Sequence, residues 1–218
     1  MIADRRTYLS EITEELRKEW PKNRIINIVC HGHSVPAGYF ATPFVDTFNA
    51  YPHLLHRKLK ERFPFAVINV IVTAIGGEDS ESGALRFEKW VIPYYPDVVT
   101  IDYGLNDRRI GLRRAKSAWR SMIEKSLENN IKVLLLTPIL DSSGLFEENK
   151  DQWELLRKHS EQIRRLAEEY EVGLVDCFSL FENYIKNGGD ITDLLSWPNH
   201  PNRNGHELIA REIMRWFI

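Results

Sequence analysis

The chain has few cysteines, no long apolar run and almost no net charge, and each shortage narrows what it can be. Two cysteines, Cys30 and Cys177, are too few for a disulfide framework, and they lack the Cys-x-x-Cys spacing of a metal site. Both fall at the ends of expected strands, so each reads as a buried free thiol. No apolar stretch is long enough to cross a bilayer. The first twenty residues mix charges through an amphipathic pattern, where a signal peptide needs an uninterrupted apolar core. These features point to a cytoplasmic protein with no membrane partner. A net charge of -2, from 29 basic and 31 acidic residues, gives no electrostatic reason to expect a nucleic acid as partner. A small ligand of little charge fits better.

What is present is an ordinary globular composition, 43% hydrophobic and 28% charged, over 218 residues. That length suits one domain, 1–218, with a helix at about 3–20 packed on it. Five short runs rich in β-branched residues recur: "RIINIVC" (24–30), "AVINVIVTA" (66–74), "DVVTIDYG" (97–104), "KVLLLTP" (132–138) and "VGLVDC" (172–177). Near-continuous apolar strands of this kind are buried on both faces, as in a parallel sheet. Helical patterns separate them, at "PHLLHRKLKERF", around "GALRFEKWVI", at "RRAKSAWRSMIEKSLENN" and at "DQWELLRKHSEQIRRLAEEY". In the last, Trp153, Leu156, Ile163, Leu166 and Tyr170 share one face and read as core. Another helix closes the chain at "GHELIAREIMRWF". An alternating β/α chain with right-handed crossovers predicts an α/β fold, a three-layer α/β/α sandwich.

In an open parallel sheet, ligands bind at the carboxyl ends of the strands. The first strand ends in His31-Gly32-His33-Ser34, the second runs into "AIGGEDS", the third into "YGLNDR", and the loop "WPNHPNRNGH" precedes the last helix. Serine-dependent ester hydrolysis needs an exposed hydroxyl, a base and donors for the developing oxyanion. Ser34 is the candidate nucleophile and His200 the candidate base. A neutral imidazole, with an ordinary pKa near ~6.5, accepts such a proton and returns it to the leaving group. The backbone amides of Ser34 and Gly77 and the side-chain amide of Asn106 are the candidate oxyanion donors.

Gly32-x-Ser34, Gly77, Gly104-Leu105-Asn106-Asp107 and His200-Pro201-Asn202-x-x-Gly205-His206 follow the order and approximate spacing of four sequence blocks. In this the chain resembles the SGNH hydrolases, the GDSL-type esterases, from about residue 25 to 210. The resemblance implies a flavodoxin-like, five-stranded parallel sheet and a serine esterase without metal or other cofactor. It implies for Ser34, Gly77, Asn106 and His200 the roles argued above. Members act on acetylated sugars, lysophospholipids, acyl-thioesters and other small esters. Two departures matter. His33 stands where the family usually has Asp between Gly and Ser, which implies an altered hydrogen-bond arrangement at that turn. Trp197 stands three residues before His200, where the family usually has the acid that orients the base. Asp193, Asp190 and Asp107 are candidate replacements, and a backbone carbonyl from residues 196 to 198 is another.

The blander alternatives stay in view. Ser34 taken alone is an ordinary turn residue, and His206 starts or underlies the last helix. His31 and His33, with His200, His206 and Asp107, contain ordinary metal ligands, but no carboxylate-rich cluster accompanies them. Asp107 reads more readily as a structural carboxylate than as a catalytic acid. The stretch "PAGYFATPFVDTFNAYP" is expected as an aromatic-lined loop over the crevice, because its prolines and glycine disfavour regular structure. Tyr39, Phe40 and Trp197 are the candidate substrate contacts, although a second copy of the chain in a homo-oligomer can cover such aromatics equally well. The expected function is a serine esterase removing a small acyl group, acetyl first, from a carbohydrate or similar polar alcohol. A lysophospholipase or thioesterase of the same family, or a non-catalytic ligand-binding protein on the same scaffold, are the alternatives.

Overall fold

The computed structural model describes residues 1–145, 149–196 and 199–218. Its five strands are β1 (Ile25–Gly32), β2 (Val67–Val72), β3 (Val98–Asp102), β4 (Lys132–Leu136) and β5 (Gly173–Val175), each inside one of the runs expected from sequence or within two residues of it. They form one parallel sheet in the order β2-β1-β3-β4-β5. The helices are α1 (Ser10–Leu16), α2 (Ser34–Ala37), α3 (Tyr51–Arg62), α4 (Ser80–Trp90), α5 (Leu112–Glu128), α6 (Lys150–Glu169), α7 (Cys177–Lys186) and α8 (Arg203–Met214). The helix expected at about 3–20 is confined to α1. Sequence reading does not single out α7.

Successive residues of a strand face opposite sides, and the two cores divide accordingly. Ile26, Ile28 and Cys30 of β1 pack with Leu54 and Leu55 of α3, Phe181 of α7 and Ile209 and Ile213 of α8. Val29 of β1 packs with Val99 and Ile101 of β3, Phe87 of α4, Trp119 of α5 and Ile163 of α6. These are the outer layers of the three-layer sandwich. β2 departs from the expectation of strands buried on both faces: Val67 and Asn69 are exposed, because β2 is an edge of the sheet.

With this order the chain leaves β1 toward β2 on one side and reaches β3 on the other. A crevice opens at such a reversal, outside the carboxyl ends of β1 and β3. Gly32 and Asp102, the last residues of those strands, lie opposite each other in register. Ser34 follows the end of β1, and Asn106 and Asp107 lie in the turn after β3.

Candidate active site

β1 can end against β3 because residue 32 is glycine. A Cβ there would lie 2.5 Å from the Asp102 carbonyl oxygen and 2.7 Å from the Pro36 ring. The His33 amide then donates to the Asp102 carbonyl at 3.2 Å, and the chain turns into α2. His33 caps that helix: its Nδ1 accepts the Val35 N–H at 3.3 Å. Ser34 is the first helical residue, where backbone amides lack intrahelical acceptors.

His200 arrives from the far end of the chain, held by the rest of its motif. The Ser196 amide and hydroxyl both donate to the His200 carbonyl, at 2.9 and 3.1 Å. Asn202 caps α8 through Oδ1, which accepts from the Asn204 and Gly205 amides, while its Nδ2 donates to the carbonyls of Asp193 and Leu195. Gly205 lets the helix approach this loop, since a Cβ would sit 2.4 Å from the Leu194 carbonyl oxygen. The spacing His-Pro-Asn-x-x-Gly is thus a loop clamp as much as a chemical motif.

The structure brings Ser34 and His200 together. The hydroxyl lies 2.8 Å from His200 Nε2, and both residues are 8% exposed, open enough to meet a small ligand. The two oxyanion candidates beyond Ser34 converge on one turn. Gly77 has φ of +81°, and no heavy atom lies within 4 Å of where its Cβ would be. Asn106 Nδ2 donates to the Glu78 carbonyl at 2.7 Å, which commits one of its two hydrogens. That turn is braced by Arg86, which grips the Glu78 carboxylate and donates to the Thr73 carbonyl, and by Arg109, which donates to the Gly77 carbonyl.

None of the three carboxylate candidates has a described contact with His200; Asp190 accepts from the Thr192 amide and hydroxyl. Asp107 is fully buried, one oxygen accepting the Ser80 N–H at 2.8 Å and the other the Trp119 indole N–H at 2.7 Å. Burial raises its pKa to about 6. Its job is to tie the turn after β3 to the start of α4. Asp193 lies at the end of a 3-10 turn, where its carboxylate accepts from the Asp190 N–H and the Tyr184 hydroxyl in a capping box. Trp197 and the carbonyls of residues 197 and 198 lie outside the described residues.

The aromatic stretch divides. Tyr39 is half-buried, 6.3 Å from His200 by ring centroids, and its ring covers Gly76. It stands beside the Ser34–His200 pair. Phe40 is buried, 4.9 Å from the His206 ring, where the loop folds inward. Tyr51 is core, whereas Phe44 and Phe48 are exposed. The loop is fastened to α8 by the Asp46–Arg203 ion pair. His206 lies within α8, its Nδ1 accepting the Tyr51 N–H at 3.1 Å. His31 and His33 do not act together: His31 contacts the Thr73 hydroxyl at 2.8 Å, the Gly83 carbonyl and the Tyr103 hydroxyl.

Sequence reading missed Asp102. It is buried, and its Oδ1 lies 3.4 Å from His33 Nε2. A carboxylate at the carboxyl end of an otherwise apolar strand, "VVTID", was the available signal.

A sequence profile of the GDSL-like lipase/acylhydrolase family matches residues 30–208, most of the chain. The chain belongs to that family. Within it, an acetylxylan esterase of Geobacillus stearothermophilus is 24% identical over 170 residues, spanning 72% of this chain and 75% of that one. Solved structures are similar in fold. The acetylxylan esterase Axe2 of the same organism aligns with a TM-score of 0.76 at 21% identity, covering 88% of this chain and 94% of that one. A two-domain esterase active on acetylated mannans aligns at 0.77 and 20% identity over 96% of this chain, which spans 52% of that protein. Catalytic mutants of Axe2 replace a serine, an aspartate and a histidine, the last two three residues apart. This member of the GDSL-like family carries Trp197 at that spacing before His200.

Proposed function

We propose that the protein is a serine esterase that removes a small acyl group, acetyl first, from a carbohydrate or similar polar alcohol. The observation that carries this reading is the 2.8 Å contact between the Ser34 hydroxyl and His200 Nε2, formed by residues 166 apart in sequence. Family membership supplies ester hydrolysis. The likeness to an acetylxylan esterase and to an esterase active on acetylated mannans favours an acetylated sugar.

Ser34 Oγ attacks the ester carbonyl as His200 Nε2 takes its proton. The carbonyl oxygen becomes an oxyanion, held by the Ser34 and Gly77 amides and the free hydrogen of Asn106 Nδ2. His200 returns the proton to the departing alcohol, leaving acyl-Ser34. Water, deprotonated by His200, then releases the acid. Tyr39 offers a flat wall beside the pair for a sugar ring. Two buried cysteines without a disulfide suit a reducing compartment, so we place the enzyme in the cytoplasm. The homo-oligomer remains a second use for the exposed Phe44 and Phe48.

The test is a substrate panel with wild type and Ser34→Ala. Acetylated xylo-oligosaccharides and p-nitrophenyl acetate are expected to turn over at least about tenfold faster than p-nitrophenyl octanoate. Ser34→Ala should abolish all three. Preference for octanoate would move the assignment to a lysophospholipase or thioesterase. Absence of turnover, together with no reaction of Ser34 with a fluorophosphonate, would leave a binding protein.

A further inference from the structure

A second imidazole, that of His33, lies near the Ser34 hydroxyl besides that of His200. Its Nδ1 lies 3.3 Å from Ser34 Oγ and its Nε2 3.4 Å from Asp102 Oδ1, with both side chains buried. The tautomer follows from the capping bond. Val35 N–H donates to Nδ1, so that nitrogen carries a lone pair and the ring proton is on Nε2, 3.4 Å from the Asp102 carboxylate but not hydrogen-bonded to it. Nδ1 is shared between the Val35 amide and the Ser34 oxygen, both at 3.3 Å. Neither contact has the ordinary length of about 2.9 Å that would commit the lone pair to it. Asp102, His33 and Ser34 therefore follow one another as carboxylate, imidazole and hydroxyl, with the 3.4 Å approach of the first two not closed into a hydrogen bond, on strand ends whose positions the sheet register fixes.

We propose that His33, backed by Asp102, is a second imidazole base for Ser34, able to accept the hydroxyl proton through Nδ1. This rests on Ser34 being the nucleophile. In the step, the Oγ–H bond breaks as Nδ1–H forms, Oγ bonds to the acyl carbon, and the carbonyl π pair moves onto the oxyanion. When the tetrahedral adduct collapses, the bond to the alcohol oxygen breaks and the Nδ1 proton goes to that oxygen. The imidazolium formed between these events has the buried Asp102 carboxylate 3.4 Å from its Nε2, which offsets its charge. The Val35 amide gives up its share of Nδ1 meanwhile, a small cost for a helix of one turn. The substitution of His for the family's Asp before the serine is thereby chemical as well as structural.

The experiment compares two backgrounds. Rates of Ser34 modification by a fluorophosphonate, and of p-nitrophenyl acetate hydrolysis, are measured for wild type, His33→Asn, His200→Ala, His200→Ala/His33→Asn and Ser34→Ala. Asparagine keeps an oxygen to cap Val35 but takes no proton at neutral pH. His200→Ala should still react measurably above Ser34→Ala. Adding His33→Asn should lower that residual rate at least about tenfold, a larger factor than the one by which it lowers the rate in the presence of His200. Asp102→Asn, which leaves both imidazoles in place, should follow the same two-background pattern and serves if His33→Asn does not fold. Equal factors in both backgrounds would make His33 a turn brace only and overturn the inference, as would a His200→Ala protein no more reactive than Ser34→Ala. Undiminished modification of Ser34→Ala would instead remove the nucleophile assignment itself.

Discussion

The turn after β1 and the loop before α8 meet at one hydroxyl, yet they are built by different means. The first is strand end against strand end: Gly32 abuts Asp102, His33 is wedged between Asp102 and Ser34, and the side chains are buried. The second is a loop held by backbone and amide contacts through Ser196 and Asn202, with the carboxylates of Asp190 and Asp193 spent on their own capping box. Among the described contacts, the carboxylate beside an imidazole at the hydroxyl is Asp102, on the sheet side.

Acid tests both sides at once and should give the largest effect. His31 on the β1 side and His206 on the loop side are held neutral by burial, with pKa values lowered to about 3, and His159 within α6 is lowered to about 4. A lowered histidine pKa means that the unfolded chain binds protons first as pH falls below its ordinary value. The stability these groups contribute is therefore complete above about pH 6.5 and lost toward pH 4. Asp107, raised to about 6, works the other way, destabilising the fold as pH rises from 4 to 6. The imidazoles outweigh it, with a net loss on the order of 6 kcal/mol between pH 7 and 4.5. Urea denaturation against pH measures this, and a flat profile would contradict the burial of these rings.

Next in size is Asn106→Ala. Loss of an oxyanion donor should lower kcat about a hundredfold or more, with little change in KM. A variant changed mainly in KM would place Asn106 on the substrate and not on the transition state. On the loop side, Asn202→Ala removes a cap and the bonds to Asp193 and Leu195, and should cost about 1 to 2 kcal/mol in thermal or urea denaturation. Smallest is Asp193→Asn. It disturbs only an exposed capping box, so kcat/KM should stay within about threefold of wild type. A loss approaching a hundredfold would make Asp193 the orienting acid and erase the contrast between the two sides.

The sheet is legible in the sequence because its strands are runs of apolar β-branched residues, and period alone separates them from the helices. The edge character of β2 is not, since "VINVIV" reads like a central strand and its exposure depends on where the chain reverses. α7 escapes notice because "CFSLFENYIK" is short and follows β5 with no loop between. Ser34, Gly77, Asn106 and His200 are legible as motif positions at strand ends. The burial of Phe40 is not legible, because an aromatic in a Pro- and Gly-rich stretch carries no mark of which way the loop folds. His33 looks like a brace from sequence alone, for nothing in "HGHS" says that a carboxylate 69 positions later lies in register with the glycine between the two histidines.

Acid quench of the enzyme during turnover of p-nitrophenyl acetate, followed by mass spectrometry of its peptides, tests the central claim most directly. The account predicts an acetyl group on the hydroxyl of Ser34, formed in the burst phase and absent from Ser34→Ala. Continued turnover by Ser34→Ala, with no acetylated peptide from wild type, would contradict it.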